Sequence, residues 1–354
     1  MKFDTYDIAL VTDEKERLYY LGFHSTAGYV ILTKKEKIFV VDGRYVEAAK
    51  KALLPKGIEV ILGSDYSALV SYAKENGVKT IAIDFTKTTL SEYAALEKLG
   101  FSYTDASEEI RREMSVKTAE ELGYLKKACE IAEKAWKAVL PEIRLGMTER
   151  ELANKLEYNF KKYGASGTSF DTIVAFGKNA AVPHHETGDT KLKENECVLM
   201  DFGCLYKGYC SDMTRTMFFG KPDEKFLHAY LAVLTAHLKA AEGIYAGITG
   251  KEADKIARDV LESLGYGKYF THSLGHGIGV NIHEFPTLSP KSEWTLEDDM
   301  VFSNEPGVYV NGKFGIRIED SCYLSGGKYH TFMKDDKSLI VLDGTSIKKQ
   351  KLFQ

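Results

Sequence analysis

Three of the chain's nine histidines, His272, His276 and His283, fall within the stretch HSLGHGIGVNIHEFP (272–286), and four acidic residues, Asp201, Asp212, Glu305 and Glu319, sit among apolar neighbours. Imidazoles and carboxylates are the groups that hold divalent metal ions and move protons. The step of four from His272 to His276 would put both rings on one face of a helix. Gly275, Gly277 and Gly279 argue against that, because glycine is a poor helix-interior residue and in a strand marks a bulge or a close approach of backbone or ligand. The segment reads as an irregular strand lining a site.

An internal repeat pairs the carboxylates. GMTERELANKLEYNFKKYG (146–164) matches GITGKEADKIARDVLESLG (247–265) at an offset of 101, and LKENECVLMDFG (192–203) matches LEDDMVFSNEPG (296–307) at an offset of 104. Thr148 with Glu151 and Thr249 with Glu252 form capping-box patterns, so each copy is expected to open a helix at the same point. Asp201 falls on Glu305, and each is followed by a second acid, Asp212 and Glu319. Two copies packed about a pseudo-two-fold axis would bring the two pairs together. The alternation of Val198 and Met200 against Leu199 and Asp201, and of Ile316 and Ile318 against Arg317 and Glu319, puts these acids in strands. Four buried carboxylates need cations, since an unpaired buried charge is very costly. Two divalent ions would balance them. Oxygen-rich ligation with one imidazole suits Mn²⁺, with Co²⁺ or Fe²⁺ possible and Zn²⁺ less typical.

The elements that position these groups change in texture along the chain. Residues 1–112 alternate short apolar strands (YDIALVT, AGYVILT, KIFVVD, IEVILG, TIAIDF) with helical stretches near 45–54, 66–76 and 89–99, the pattern of an α/β domain with a mixed sheet. The charged run EEIRREMSVK (108–117) reads as a connector. A long amphipathic helix follows, capped by Thr118 and Glu121, with Leu122, Leu125, Cys129, Ala132, Trp136 and Val139 on its core stripe; Trp136 is assigned to packing. His237 reads as an ordinary helix-face residue, and Tyr206, Tyr209 and Cys210 as packing.

Composition narrows the function. A chain of 354 residues, 44% apolar, is long enough for two cores. The net charge of −4 and the lack of a basic block speak against a nucleic-acid or polybasic membrane partner. The start, MKFDTYDIALVTDEK, carries Asp4 and Asp7 where a secretion leader would be cationic and then apolar, and no run reaches the length of a membrane span. Five cysteines without CxxC spacing fit free thiols in a reducing cytoplasm, which is the expected location.

The segments PHH (183–185), DFGCLYKGYCSDMTRT (201–216), HSLGHGIG (272–279), SNEPGVY (303–309) and GIRIED (315–320) together resemble the motifs of the pita-bread metallopeptidases, which include methionine aminopeptidase, aminopeptidase P and prolidase. The resemblance covers 118–340, and the α/β region before it is similar to the amino-terminal domain of the aminopeptidase P and prolidase branch. It implies a creatinase-like amino-terminal α/β domain over 1–112 and an α+β pita-bread catalytic domain over 113–354. Five positions match the family ligands. Asp212 and Glu319 would bridge two ions, Asp201 would complete one ion's shell, and His276 with Glu305 the other's.

A water between the two ions would be the nucleophile, and Glu305 the proton shuttle to the leaving nitrogen. His184 and His283 match catalytic histidines that polarise the substrate carbonyl, and His272 a substrate-side histidine. His185 is the alternative to His184 if the loop register differs. Arg317 matches an arginine near the substrate, and its strand position fits pairing with a carboxylate as well.

The sequence departs from common family wording at PHH and at Asn304, without losing a ligand. The implied activity is removal of an amino-terminal residue before proline, of the aminopeptidase P type, with an Xaa-Pro dipeptidase as the alternative. A methionine aminopeptidase would not need the extra domain. A metal-free creatinase-type hydrolase or a binding protein would lack the carboxylate set. The branch also implies a homodimer, and a substrate with proline in second position.

Overall fold

The computed structural model describes residues 1 and 3–350. The chain forms two compact units, Met1–Met114 and Ser115–Gln354. The first has a six-stranded mixed sheet in the order Glu59–Leu62, Lys37–Val41, Tyr29–Leu32, Ile8–Val11, Thr80–Ile83, Ser102–Asp105. Tyr29–Leu32 pairs antiparallel with both its neighbours, and the other three pairings are parallel. Helices Val46–Leu53, Ser67–Asn76 and Leu90–Glu97 lie where the apolar pattern put them.

Three elements were not expected. Helix Glu14–Leu21 is set by its ends: Asp13 accepts hydrogen bonds from the amides of Lys15 and Glu16, and Gly22 closes it in the left-handed region at φ 60°. Strand Ser102–Asp105 is polar and only partly buried, so it carries no apolar alternation. The run read as a connector is helix Ser107–Ser115, whose Ile110 and Met114, one turn apart, are buried under an otherwise charged surface.

The second unit is built from the repeat. Its two main sheets have five strands each: one is Ile347–Gln350, Leu339–Leu342, Met213–Phe219, Glu196–Phe202, Ile173–Phe176, and the other Glu284–Leu288, Gly275–Gly277, Val301–Asn304, Asp320–Ser325, Lys328–Thr331. Both capping boxes are formed, at the heads of Glu149–Lys162 and Gly250–Ser263. The hydrogen bonds repeat as well. The Gly146 amide donates to the Leu192 carbonyl as Gly247 does to Leu296, and Leu192 returns to Met147 as Leu296 does to Ile248. Arg150 donates to Gly188 as Lys251 does to Ser292. Each copy thus ties its helix start to the turn that feeds its carboxylate strand.

The first carboxylate strand, Glu196–Phe202, pairs antiparallel with Met213–Phe219 along its whole length, with Asp201 opposite Thr214. Both strands are buried on both faces, so the polar side chains they carry, Asp201, Thr214, Arg215 and Thr216, are held in the interior. Glu319 is a correction to the sequence reading. Strand Phe314–Arg317 stops before it and Asp320–Ser325 starts after it, so Glu319 sits in the break, its amide donating to the Thr214 carbonyl. Asp212 and Glu305 also lie just outside strands. At such breaks a carboxylate is freed from the two-face alternation and can turn toward a common point.

Candidate metal centre

The GHG segment is an irregular strand. Gly275–Gly277 pairs with Glu284–Leu288 through a register shift between His276 and Gly277. A Cβ at Gly275 would stand 2.0 Å from the Ser303 carbonyl oxygen, so only glycine lets this strand lie against the one that leads to Glu305. The close approach puts His276 beside Glu305: Nε2 is 3.3 Å from Glu305 Oε1 and 3.5 Å from Asp212 Oδ2. Ligand atoms of Asp212, His276 and Glu319 all lie within 4.8 Å of one another. Asp201, Asp212, His276, Glu305, Glu319, Arg317, His184, His272 and His283 all line one cavity of about 860 Å³.

The hydrogen bonding of His276 suits a cation site. Its Nδ1 is 3.1 Å from the Gly277 carbonyl, which can only accept, so Nδ1 carries the hydrogen and Nε2 presents a lone pair to two carboxylates. Protonation of Nε2 does not relieve that repulsion, because burial and the neighbouring His283 push the ring down to about 3. Burial, then the other acids of the cluster, push Asp212 and Glu319 well above the usual carboxylate range. A lone pair and several mutually repelling oxygens aimed at one place fit divalent cations.

The environment of each acid is specific. Thr214 Oγ1 lies 3.0 Å from Asp201 Oδ1 and 2.5 Å from Glu319 Oε2, joining one carboxylate of each repeat. Ser303 Oγ donates to Glu305 Oε1 at 3.0 Å and receives the His276 amide. Arg317 reaches the site with each of its three nitrogens donating: NH2 to Asp201 Oδ2 at 2.6 Å, Nε to Thr214 Oγ1 at 3.0 Å and NH1 to Tyr309 Oη at 2.7 Å. This is the carboxylate-pairing geometry of its two alternatives. His272 differs from a free substrate donor. Its Nδ1 faces the Ser273 carbonyl at 2.8 Å and must donate, so Nε2 accepts from Tyr309 Oη at 2.9 Å and both nitrogens are engaged. Burial, then Arg317, lower this ring to about 4 and keep it neutral.

The two adjacent histidines both line the cavity and differ in their partners. His185 Nε2 lies 2.9 Å from Oε2 of the fully buried Glu149, whose other oxygen receives the Phe176 amide and Asn179 Nδ2. His184 is exposed and lines the cavity. His283 is also exposed, its ring edge-on to His276 with centroids 4.2 Å apart.

Comparison with known proteins places the chain. Residues 123–325 match the model of metallopeptidase family M24, and residues 1–113 that of the creatinase/prolidase N-terminal domain. The chain belongs to metallopeptidase family M24. It is 35% identical over 340 residues to the Xaa-Pro dipeptidase of Pyrococcus horikoshii, 94% of each chain being covered. Among solved structures it is similar to the Xaa-Pro dipeptidase from Bacillus anthracis (TM-score 0.91, 38% identity, 95% of each chain). The X-Pro aminopeptidase from Thermotoga maritima is similar too (TM-score 0.89, 33% identity, 95% of this chain and 98% of that one). The expected fold, a creatinase-type amino-terminal domain before a pita-bread catalytic domain, is borne out, as is the metallopeptidase class. Family membership implies divalent metal ions. No helix among the described residues is long and apolar enough to cross a membrane.

Several residues of the site escaped the sequence reading. Tyr309, Thr214 and Ser303 are hydrogen-bonding hubs with no spacing signal. Asn304 is fully buried and ties the Glu305 strand to the Glu224–Gly243 helix and to Tyr329, its Nδ2 donating to the His237 carbonyl and to Tyr329 Oη. His237, read as an ordinary helix-face residue, is on a buried face of that helix, 3.6 Å from Asp320. Arg215 did leave a signal: it is an arginine inside the fully buried strand Met213–Phe219.

Proposed function

We propose that the protein is an Xaa-Pro dipeptidase using two divalent ions, Mn²⁺ fitting the oxygen-rich donor set best. The observation that carries the reading is the convergence of four carboxylates and one imidazole lone pair in a single cavity, in a chain alike over nearly its whole length to Xaa-Pro dipeptidases. The sequence reading leaned toward aminopeptidase P; the dipeptidase, its alternative, is the better supported of the two. Asp201, Asp212, His276, Glu305 and Glu319 would hold the ions. Such ions lower the pKa of a bound water and polarise a carbonyl.

The chain's own groups supply the rest. Glu305 has Oε1 held by Ser303, which leaves Oε2 to pass a proton to the proline nitrogen. Arg317 and Thr214 hold Asp201 in place. His184 and His283 stand exposed over the cavity as donors to the substrate carbonyl and the oxyanion that forms from it. Proline's nitrogen has no hydrogen, so the ring must be chosen by shape, against apolar wall residues such as Phe170, Ile173 and Ile282.

A three-substrate comparison with Mn²⁺ tests the reading. Ala-Pro should be cleaved and Ala-Pro-Ala and Ala-Ala-Ala should not. Faster cleavage of Ala-Pro-Ala than of Ala-Pro returns the assignment to aminopeptidase P, and cleavage of Ala-Ala-Ala as fast as Ala-Pro ends the proline requirement. The histidine roles give a second expected outcome. His184→Ala and His283→Ala should each keep their metal and lose on the order of a hundredfold in rate, the usual cost of one transition-state donor. Metal depletion of a folded His283→Ala protein would move that residue to the ligand set.

A further inference from the structure

The turn that carries His283 is held by a buried ion pair whose other half comes from the very start of the catalytic unit. Lys117 Nζ lies 2.5 Å from Glu284 Oε1, with side-chain exposures of 1% and 8%. Neither end is loose. Lys117 Nζ also donates to the Ser115 carbonyl, its amide donates to the Asp299 carbonyl, and Val116 bridges Met300. The second oxygen of Glu284 receives the Asn281 amide at 3.3 Å, and Gly279 donates to the Asn281 carbonyl. The carboxylate rests directly on Gly279, where a Cβ would come within 2.1 Å of Oε1. Both oxygens of the Glu284 carboxylate are therefore engaged, Oε1 by Lys117 and Oε2 by the Asn281 amide within the turn from Gly279 to Glu284. His283, the residue between, projects exposed from that closed turn toward His276 and the cavity.

A buried ion pair is a weak source of stability, because its attraction is offset by desolvation, but it is strongly directional. An apolar contact would hold the turn nearly as firmly without fixing where its next residue points. We infer that Lys117 and Glu284 are positioning residues: their pair fixes the 279–284 turn, and through it the imidazole of His283 over the reacting carbonyl. The inference rests on the substrate-facing role of His283 given above. Through Glu284 it also links the histidine's turn to Lys117, near the start of the catalytic unit and 167 residues before Glu284 in the chain.

The test removes both charges together, so that neither is left buried alone. In the Lys117→Met/Glu284→Gln protein the ions should stay bound and KM for Ala-Pro should change little, while kcat falls roughly ten- to a hundredfold, the scale of a small misplacement of a reacting group. Added to His283→Ala, the same double change should cost nothing further, since its effect passes through a ring that is gone. In metal-free protein, amide exchange should speed up at 279–284 and not across the sheets. Wild-type kcat in the double variant, an undiminished loss in the His283→Ala background, or unchanged protection of 279–284 would each overturn the inference. If the double variant does not fold, Glu284→Gln alone goes through the same comparisons. Wild-type protein inactive on Ala-Pro would instead strike the functional reading, and the exchange measurement would still decide the role of the pair.

Discussion

Glu319→Ala is expected to abolish turnover of Ala-Pro and to lower the content of divalent ion, while leaving the metal-free fold at least as stable as before. The two halves of that outcome have one cause. The Glu319 carboxyl lies among the ligand atoms of Asp212 and His276, and without cations its ionisation is opposed by burial and by the neighbouring acids. Burial, then Asp212's neighbour Glu319, then Asp201 and Glu305, hold the Asp212 proton in the protein alone. Carboxylates whose folded pKa is raised give stability that is complete below the ordinary carboxylate range and is lost as pH rises through the folded value. Metal-free wild type should therefore weaken from mildly acidic pH upward, and Glu319→Ala should weaken less.

Mn²⁺ reverses the order. Each ion that binds the folded state alone adds about 2.7 kcal/mol at a hundredfold excess over its Kd, and the variant forfeits that gain for at least one ion. Thermal unfolding in chelator and in Mn²⁺, with elemental analysis of both proteins, reads the crossing. Full activity of a chelated Glu319→Ala sample would remove the metal mechanism.

The repeat made much of this site legible. Matching Thr148 to Thr249 and Asp201 to Glu305 needs only spacing, and spacing survives in a single sequence. Periodicity placed Asp201 correctly because its strand is regular. It misplaced Glu319 because the chain breaks there, and a break has no period. Polar partners were the least legible. The His272 to Tyr309 bond spans 37 residues and Arg317 to Asp201 spans 116, and a side chain's commitment to a distant partner leaves no mark on its own neighbourhood. Helix Glu14–Leu21 was lost for the opposite reason, since it buries Glu16 and Arg17 where a helix is sought by its apolar stripe.

Arg215 lies behind the metal centre, and its replacement by Leu should cost about 3–5 kcal/mol of stability, the range for breaking a buried charge pair. Its guanidinium donates to Asp320 Oδ1 at 2.8 Å and to Asp335, and NH1 also donates to the carbonyls of Thr214, two residues after Asp212, and of Glu319 itself. The Trp136 ring, assigned to packing, lies 5.9 Å from the guanidinium. Burial by itself would raise both aspartates, but Arg215 and Lys337 outweigh it and hold Asp320 well below, and Asp335 below, the ordinary range. Leucine fills part of the volume and leaves Asp335 buried without its ion pair, while Asp320 keeps Lys337 Nζ at 2.7 Å.

Depressed carboxylates give stability that is present above their unfolded pKa, about 4, and is lost as pH falls toward the folded value. The gap between wild type and Arg215→Leu should thus be widest near neutral pH and narrow below about pH 4, where Asp335 can take a proton and no longer needs the arginine. Denaturant unfolding of both proteins in chelator, at neutral pH and near pH 3.5, separates this effect from metal binding. A gap that stays constant across that range would mean that Arg215 acts through volume and the Trp136 contact, and that its charge is not what the fold requires.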